Sequence, residues 1–273
     1  MSIYPRLSTV IDKYISEVLP TKSHAHEEMQ TGQLRYWKSK LGSYRINQIT
    51  SELVSSNLPN RSNATKNRYL SAISSVLNHN GQDIRFKRFR EPRGIVRFLS
   101  DNERIGLLEA CRKSLNPHLY PIVVLALSSG MRKMEILKLE WSRVDLDRGL
   151  IHLVETKNDQ PRTIPLLGYA LNLISQLPRT SSYVFPSRSG SYYRDIDHPW
   201  KKALREAEIT GYRFHDNRHS CGSYLAQAGV PLYTIGEILG HKSLEMTRRY
   251  AHLSVDHLRG ALGDLNDMMF REE

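Results

Sequence analysis

Apolar residues recur along most of this chain at the three-and-four spacing of amphipathic helices. Only one stretch gathers β-branched and apolar residues around a turn sequence. That pattern restricts the chain to a mainly helical fold carrying one small β-hairpin sheet. In "STVIDKYISEVL" Val10, Tyr14, Ile15 and Val18 share a face, and Pro20 stops the helix. "QLRYWKSKLG" ends at Gly42, and "INQITSELVSSNL" ends before Pro59. "NATKNRYLSAISSVLNHNG" has Asn63 as its expected N-cap and Gly81 as its stop, with Tyr69, Leu70, Ile73, Val76 and Leu77 along one side. Further on, "LSDNERIGLLEACRKS" reads as a helix capped by Ser100. "PIVVLALSSGMRKMEILKL" reads as an apolar helix broken at Ser128–Gly130, followed by a second helix. The exception is "GLIHLVETKNDQPRTIPL", a strand, a turn at "NDQ" and a returning strand. Helices dominate from there to the end.

Charge divides the chain more sharply than periodicity does. The net charge is +11, yet residues 1–90 hold 14 Lys and Arg against 6 Asp and Glu, while residues 91–273 hold 25 against 22. A third of the chain thus carries most of the excess, as expected of a module that grips a polyanion joined to a more neutral one. Arg61, Lys66 and Arg68 cluster at the start of one helix. Arg85, Lys87, Arg88 and Arg90, with Arg93 and Arg97, crowd the segment "IRFKRFREPRGIVRF". These spacings predict a helical domain over 1–83, a basic linker over 84–98 that lies along phosphates, and a second domain over 99–273. For each basic cluster a plain solvated surface is the alternative.

Several function classes drop out. The two cysteines, Cys111 and Cys221, show neither metal-ligand spacing nor a disulfide framework, which points to a reducing compartment. The longest apolar run, "IVVLAL", is too short to span a bilayer. "MSIYPRLSTV" lacks the apolar core of a signal peptide. A cytoplasmic protein is expected.

The second domain places polar residues where plain packing does not ask for them. Arg132 follows an apolar helix and a glycine break. Lys157 sits at the mouth of the hairpin turn. His215 and Arg218 in "FHDNRHS" fall on one face of a helix. His241 follows Gly240, a helix-stop signal, and Tyr250 comes nine residues later in "GHKSLEMTRRYAHL". Taken singly, each is a surface charge, a structural histidine or a packing tyrosine.

Together, "SSGMRKMEILKLEW", "ETKNDQPRTIPL", "YVFPS", "FHDNRHSCGSYLAQAGV" and "LGHKSLEMTRRYAHLS" resemble the tyrosine recombinases, the phage integrase family, in the family's order over about residues 97–260. More loosely, the basic helical segment resembles the family's core-binding domain. The resemblance implies a mostly helical α/β catalytic domain. It also implies an active site of Arg132, Lys157, His215, Arg218, His241 and Tyr250, with Glu135 as structural support. Two residues depart from the family pattern: Asn217 stands where leucine is common, and Met134 where a small residue is frequent. From a chain of this length no separate arm-site-binding domain is expected.

What the resemblance implies is strand exchange on double-stranded DNA. Tyr250 attacks phosphorus to form a 3′-phosphotyrosyl link and releases a 5′-hydroxyl. Arg132 and Arg218 fork onto the non-bridging oxygens, since a guanidinium matches that geometry and stays charged. His215 is a proton acceptor or phosphate ligand, His241 a phosphate ligand, and Lys157 the donor to the leaving oxygen. Neither metal nor other cofactor is required, because the covalent link conserves the phosphodiester's energy. The expected partners are specific recombination sites, a homotetramer on synapsed DNA, and an accessory DNA-bending or directionality protein, in a nucleoid-associated setting of bacterial or phage origin. The C-terminal "SVDHLRGALGDLNDMMF", with Val255, Leu258, Leu262, Leu265 and Met269 at helical spacing, is expected to dock on a neighbouring protomer. Integration or excision of a mobile element, dimer resolution, type IB topoisomerase-like relaxation and a catalytically silent DNA-binding regulator stay open at this level. RNA binding fits the charge alone.

Overall fold

The computed structural model of the 273-residue chain describes residues 4–91, 96–153, 161–253 and 255–270. The chain divides into two compact units, Met1–Gly94 and Ile95–Glu273.

The first unit is helical: α1 (Leu7–Glu17), α2 (His24–Leu41), α3 (Ser51–Ser56) and α4 (Asn63–His79). Leu7, Val10, Ile11, Leu34, Trp37, Leu70, Ile73, Val76 and Leu77 are buried in one core. Trp37 keeps its polar edge satisfied there, its Nε1–H donating to the Tyr69 carbonyl at 2.9 Å. The stretch expected to be one helix after Arg45 is two pieces, a 3-10 turn at Ile46–Gln48 and then α3. Thr50 breaks it by accepting from the Leu53 N–H as an N-cap. Ser62, not Asn63, caps α4.

Asn63 has a different task. Its side chain donates to the Arg90 carbonyl at 2.8 Å. Asn67 grips Phe89 on both sides, donating to its carbonyl and accepting from its N–H, each at 2.9 Å. Ile84, Phe86 and Phe89 pack on the first unit's core. Residues 84–91, expected to be linker, are therefore a strap bound to α4. The alternating apolar side chains within the charge run are what hold it there.

In the second unit α5 (Asp101–Arg112) opens with a reciprocal capping box. The Ser100 hydroxyl accepts from the Glu103 N–H while the Glu103 carboxylate accepts from the Ser100 N–H. Then come α6 (Leu119–Ser129) and the short α7 (Lys133–Leu137). An antiparallel sheet follows in the order β1 (Val144–Asp145), β2 (Leu150–Leu153), β3 (Arg162–Pro165). Ile151 of β2 lies opposite both Val144 and Ile164. The sheet thus has one strand more than the expected hairpin. The hairpin's turn and Lys157 lie outside the described residues. Beyond the sheet lie α8 (Gly168–Ser175), α9 (Asp197–Glu206), α10 (Asp216–Gln227), α11 (Leu232–Leu239), α12 (Leu244–Thr247), a 3-10 run over Arg248–Leu253 and α13 (Val255–Phe270).

The apolar helix α6 is the spine of this unit, with Leu119, Ile122, Val123, Leu125 and Ala126 out of solvent. A helix apolar all round must be a core helix. α10 packs along α6 and carries Arg218 and His219.

Candidate active site

Two helices end in glycines at positive φ: α6 at Gly130 (φ 63°) and α11 at Gly240 (φ 62°). The left-handed turn costs glycine little and exposes the last carbonyls of each helix. Arg218, four per cent exposed on α10, takes up both ends. One guanidinium nitrogen donates to the Gly130 carbonyl at 2.6 Å and another to the Leu239 carbonyl. Helix C-termini are electronegative, so this seat suits a cation. Burial, with Arg132 and Arg162 nearby, still lowers its pKa to about 10, well above neutrality.

Arg132 opens α7. Its guanidinium donates to Glu135 Oε1 at 2.8 Å, and its backbone N–H to Glu135 Oε2 at 2.8 Å. Arg162, at the start of β3, donates to the same Oε2 at 2.8 Å. One carboxylate therefore joins the arginine after α6 to the base of the hairpin, the supporting role expected of Glu135. Gly240 also makes room for Arg162, since a Cβ there would lie 2.5 Å from a guanidinium nitrogen.

His241 follows that turn. Its Nδ1 pairs with the Thr247 hydroxyl at 2.8 Å, and its ring lies parallel to Tyr250 with centroids 6.5 Å apart. Burial, with Arg218 and Arg249 adding to it, brings its pKa down to about 4. A cleft of about 790 Å³ opens beside it, lined by Arg162, Thr163, Gly240, His241 and Lys242 among others.

Tyr250 is fully buried. Its ring lies on α10 at Gly222, where a Cβ would come 2.7 Å from the ring carbon bearing the hydroxyl. Burial raises its pKa to about 12 against the opposing pull of Arg218 and Arg249. The hydroxyl meets Nδ1 of His219 at 2.9 Å. In turn the His219 ring stands edge-on to His215, centroids 5.3 Å apart. Burial first, then His215 and Arg249, lowers His219 to about 4. His215 caps the start of α10 with an exposed edge, but enough of its ring is enclosed to lower its pKa as well, burial outweighing Arg218 as the cause.

Four of the expected residues, Arg132, Arg218, His241 and Tyr250, thus cluster around α10 and the turn after α11. His215 joins them through His219. Two residues were not expected in the site: His219, one residue past Arg218 inside "HDNRHS", and Arg162, inside "PRTIPL". Asn217 is fully buried and satisfied, accepting from the Tyr212 hydroxyl at 3.1 Å and donating to the Phe214 carbonyl at 2.9 Å. A polar side chain is therefore accommodated at that departure. The other, Met134, is 39% exposed, so its size meets little resistance.

In the first unit, Arg61, Arg68, Arg85, Lys87, Arg88 and Arg90 are exposed. Lys66 is half-buried over the Phe89 ring, 5.2 Å from its centroid. Arg88 is committed to α4, donating to the Asn67 carbonyl at 2.5 Å and the Ser71 hydroxyl at 2.8 Å.

Comparison with known proteins places the chain in a family. The integrase of Salmonella phage P22 is 33% identical over 179 residues, covering 60% of this chain and 45% of that protein. The catalytic domain of bacteriophage HP1 integrase matches with 29% identity and a TM-score of 0.51, covering 65% of this chain and 99% of that one. The Tn1549 transposon integrase, solved with circular intermediate DNA, shares the fold at 16% identity with a TM-score of 0.76, covering 95% of this chain and 99% of that one. The chain spans about half the length of the curated relatives it matches. The model of the phage integrase family matches residues 97–257, well over half of the sequence, and the chain belongs to that family.

Proposed function

We propose that this protein is a site-specific DNA recombinase that cuts and rejoins strands through a 3′-phosphotyrosyl link at Tyr250, serving integration or excision of a mobile element. The observation that carries the proposal is the surroundings of the Tyr250 phenol. It is fully buried with two histidines against it, on the helix that carries Arg218. A phenol's pKa is ordinarily about 10, so attack needs a proton acceptor and cations beside the reacting phosphate.

Arg218 is held rigid by two helix ends and Arg132 by Glu135. Arg132, its side chain 30% exposed, faces the non-bridging oxygens directly, and the enclosed Arg218 adds its fixed charge close by, so charge stabilisation is set before substrate arrives. His241, fixed by Thr247, and His215, at the open end of α10, are phosphate ligands. Lys157, which the sequence places between β2 and β3, gives its proton to the leaving 5′-oxygen. The first unit and its strap supply sequence-independent grip through Arg61, Lys66, Arg68, Arg85, Lys87 and Arg90. The second unit is the catalytic domain.

Incubation with candidate att-like duplexes, nicked near the cleavage position so that the cut strand diffuses away, tests the proposal. Wild-type protein is expected to leave a covalent protein–DNA adduct. Tyr250→Phe binds the same duplex and leaves none. An adduct that survives in Tyr250→Phe moves the nucleophile to another residue, with Tyr224 and Tyr233 next in line.

Strand exchange between two duplexes requires protomers in contact, and a homotetramer on synapsed DNA meets that need. Supporting it, α13 leaves Leu262, Leu265 and Met269 exposed; the side chains of Val255 and Leu258 lie outside the described residues. Truncation after Ser254 is expected to weaken synapsis more than binding to a single site. Equal synapsis by the truncated chain would remove α13 from the contact.

A further inference from the structure

We infer that His219 is a catalytic residue of this site, the group that holds the Tyr250 hydroxyl and takes its proton as the phenol attacks phosphorus. The inference rests on Tyr250 being the nucleophile, as proposed above. It assigns to His219 the acceptor role that the sequence alone left open for His215.

Geometry carries it. The Tyr250 hydroxyl has one hydrogen-bond partner among the described residues, His219 Nδ1 at 2.9 Å. A buried O–H left without an acceptor is costly, so the proton points at that nitrogen and Nδ1 is the unprotonated one. The alternative tautomer would have Nδ1–H donate and leave the buried phenolic proton without an acceptor. His215 touches the His219 ring rather than the phenol. Two features fix the pair. His219 is one residue past Arg218 on α10, so the acceptor and the phosphate-binding cation share a rigid helix. Gly222, one turn further along, lets the phenol ring lie flat against that helix.

Electrostatics agree with a proton that moves only during attack. His219 is neutral at physiological pH and Tyr250 is protonated. The resting proton therefore stays on oxygen. As the Oη–phosphorus bond forms the phenol becomes strongly acidic, and the proton passes to Nδ1. The phosphorus–O5′ bond breaks in the same step, and the leaving oxygen takes its proton from Lys157. Rejoining reverses each transfer: the incoming 5′-hydroxyl returns a proton to the lysine side, and His219 returns one to the departing tyrosine.

Two measurements test the inference. In the free protein with ¹⁵N-labelled histidine, His219 Nδ1 is expected at an unprotonated shift that moves on Tyr250→Phe. A protonated Nδ1 overturns the assignment whatever the DNA substrate. The second uses the nicked duplex that traps the wild-type adduct. His219→Ala is expected to slow adduct formation by roughly 10²-fold or more, the scale of acid–base catalysis, with DNA binding unchanged. Placing a ring-fluorinated tyrosine at 250, whose phenol is more acidic, is expected to recover at least a tenth of the lost rate in His219→Ala. Sulfur at the 5′-bridging position, which relieves only the leaving group, recovers none. A slowed variant that the fluorinated phenol does not rescue makes His219 a packing residue and overturns the inference, as does an unslowed one. Failure of the nucleophile assignment appears separately, as an adduct in Tyr250→Phe.

Discussion

The two units handle positive charge in opposite ways. In the first, arginines and lysines stand on the surface, and the strap carrying several of them is held by apolar side chains and asparagines. In the second, which has far less net charge, three arginines are drawn inward and tied to named acceptors: Arg218 to two helix ends, Arg132 and Arg162 to Glu135. Surface charge supplies attraction that any polyanion feels and that salt screens. Enclosed charge supplies direction, because its acceptors fix where it points. On the proposed function, net charge locates grip, and hydrogen-bonded charge locates chemistry.

Within the second unit the largest expected effects separate charge from proton donation. Lys157→Ala should slow adduct formation by roughly 10²–10⁴-fold. Sulfur at the 5′-bridging position should restore it, since a thiol's pKa of about 8.5 lets the leaving group depart without a proton. Arg218→Ala should slow it by at least roughly 10²-fold with no rescue, and should also destabilise the unit by leaving the Gly130 and Leu239 carbonyls short of a donor. Sulfur rescue of Arg218→Ala, or its failure with Lys157→Ala, would break the division of labour.

A smaller effect is expected on stability. His219 and His241 are held at about 4 in the fold against 6.5 for free histidine. Between those values the unfolded chain binds protons that the folded chain refuses. Stability is then lost as pH falls from about 6.5 to about 4. The ceiling is about 3 kcal/mol for each ring, and solvent screening at each ring's open edge brings it to roughly half of that. Denaturant titrations at pH 7 and pH 5 check this. His241→Gln should flatten the dependence, and an equal slope in that variant would show that the ring is not held neutral.

The smallest effect sharpens the contrast from the other side. Alanine at Arg85, Lys87 and Arg90 should reduce the slope of log K against log salt by roughly 0.9 for each phosphate no longer neutralised, with little change in melting temperature. Arg88→Ala should do the reverse, lowering the melting temperature by a few degrees through loss of its tie to α4. An unchanged salt slope in the triple variant would take the strap off the phosphates.

Much of this was legible in the sequence, for identifiable reasons. Helices declare themselves by period, and α1, α4, α5 and α6 were all readable that way. The break at Gly130 and the stop at Gly240 were readable because left-handed turns favour glycine. Caps were readable to within a residue: Ser100 was found, while Ser62 lost to its equally polar neighbour Asn63. β1 was missed because two residues, Val144 and Asp145, make no pattern. The strap was missed because its charges outnumber its aromatics. α10 was the hardest element, since it buries Asn217, Arg218, Ser220 and Ser223, which periodicity assigns to solvent. His219 hid there for the same reason: its partner lies 31 residues away, and only the packed chain brings them together.

The seat at Gly222 has a consequence for how such a protein is made. A ribosome delivers the chain from its N-terminus, and folding follows that order. The helix ends that clamp Arg218, the Glu135 bridge, His219 and the flat surface of Gly222 all precede Tyr250. Tyr250, the proposed nucleophile, is the last of these parts to arrive. On the proposed function, a product interrupted before Tyr250 is still attracted to DNA by the first unit's charge, yet it has nothing with which to bond to it.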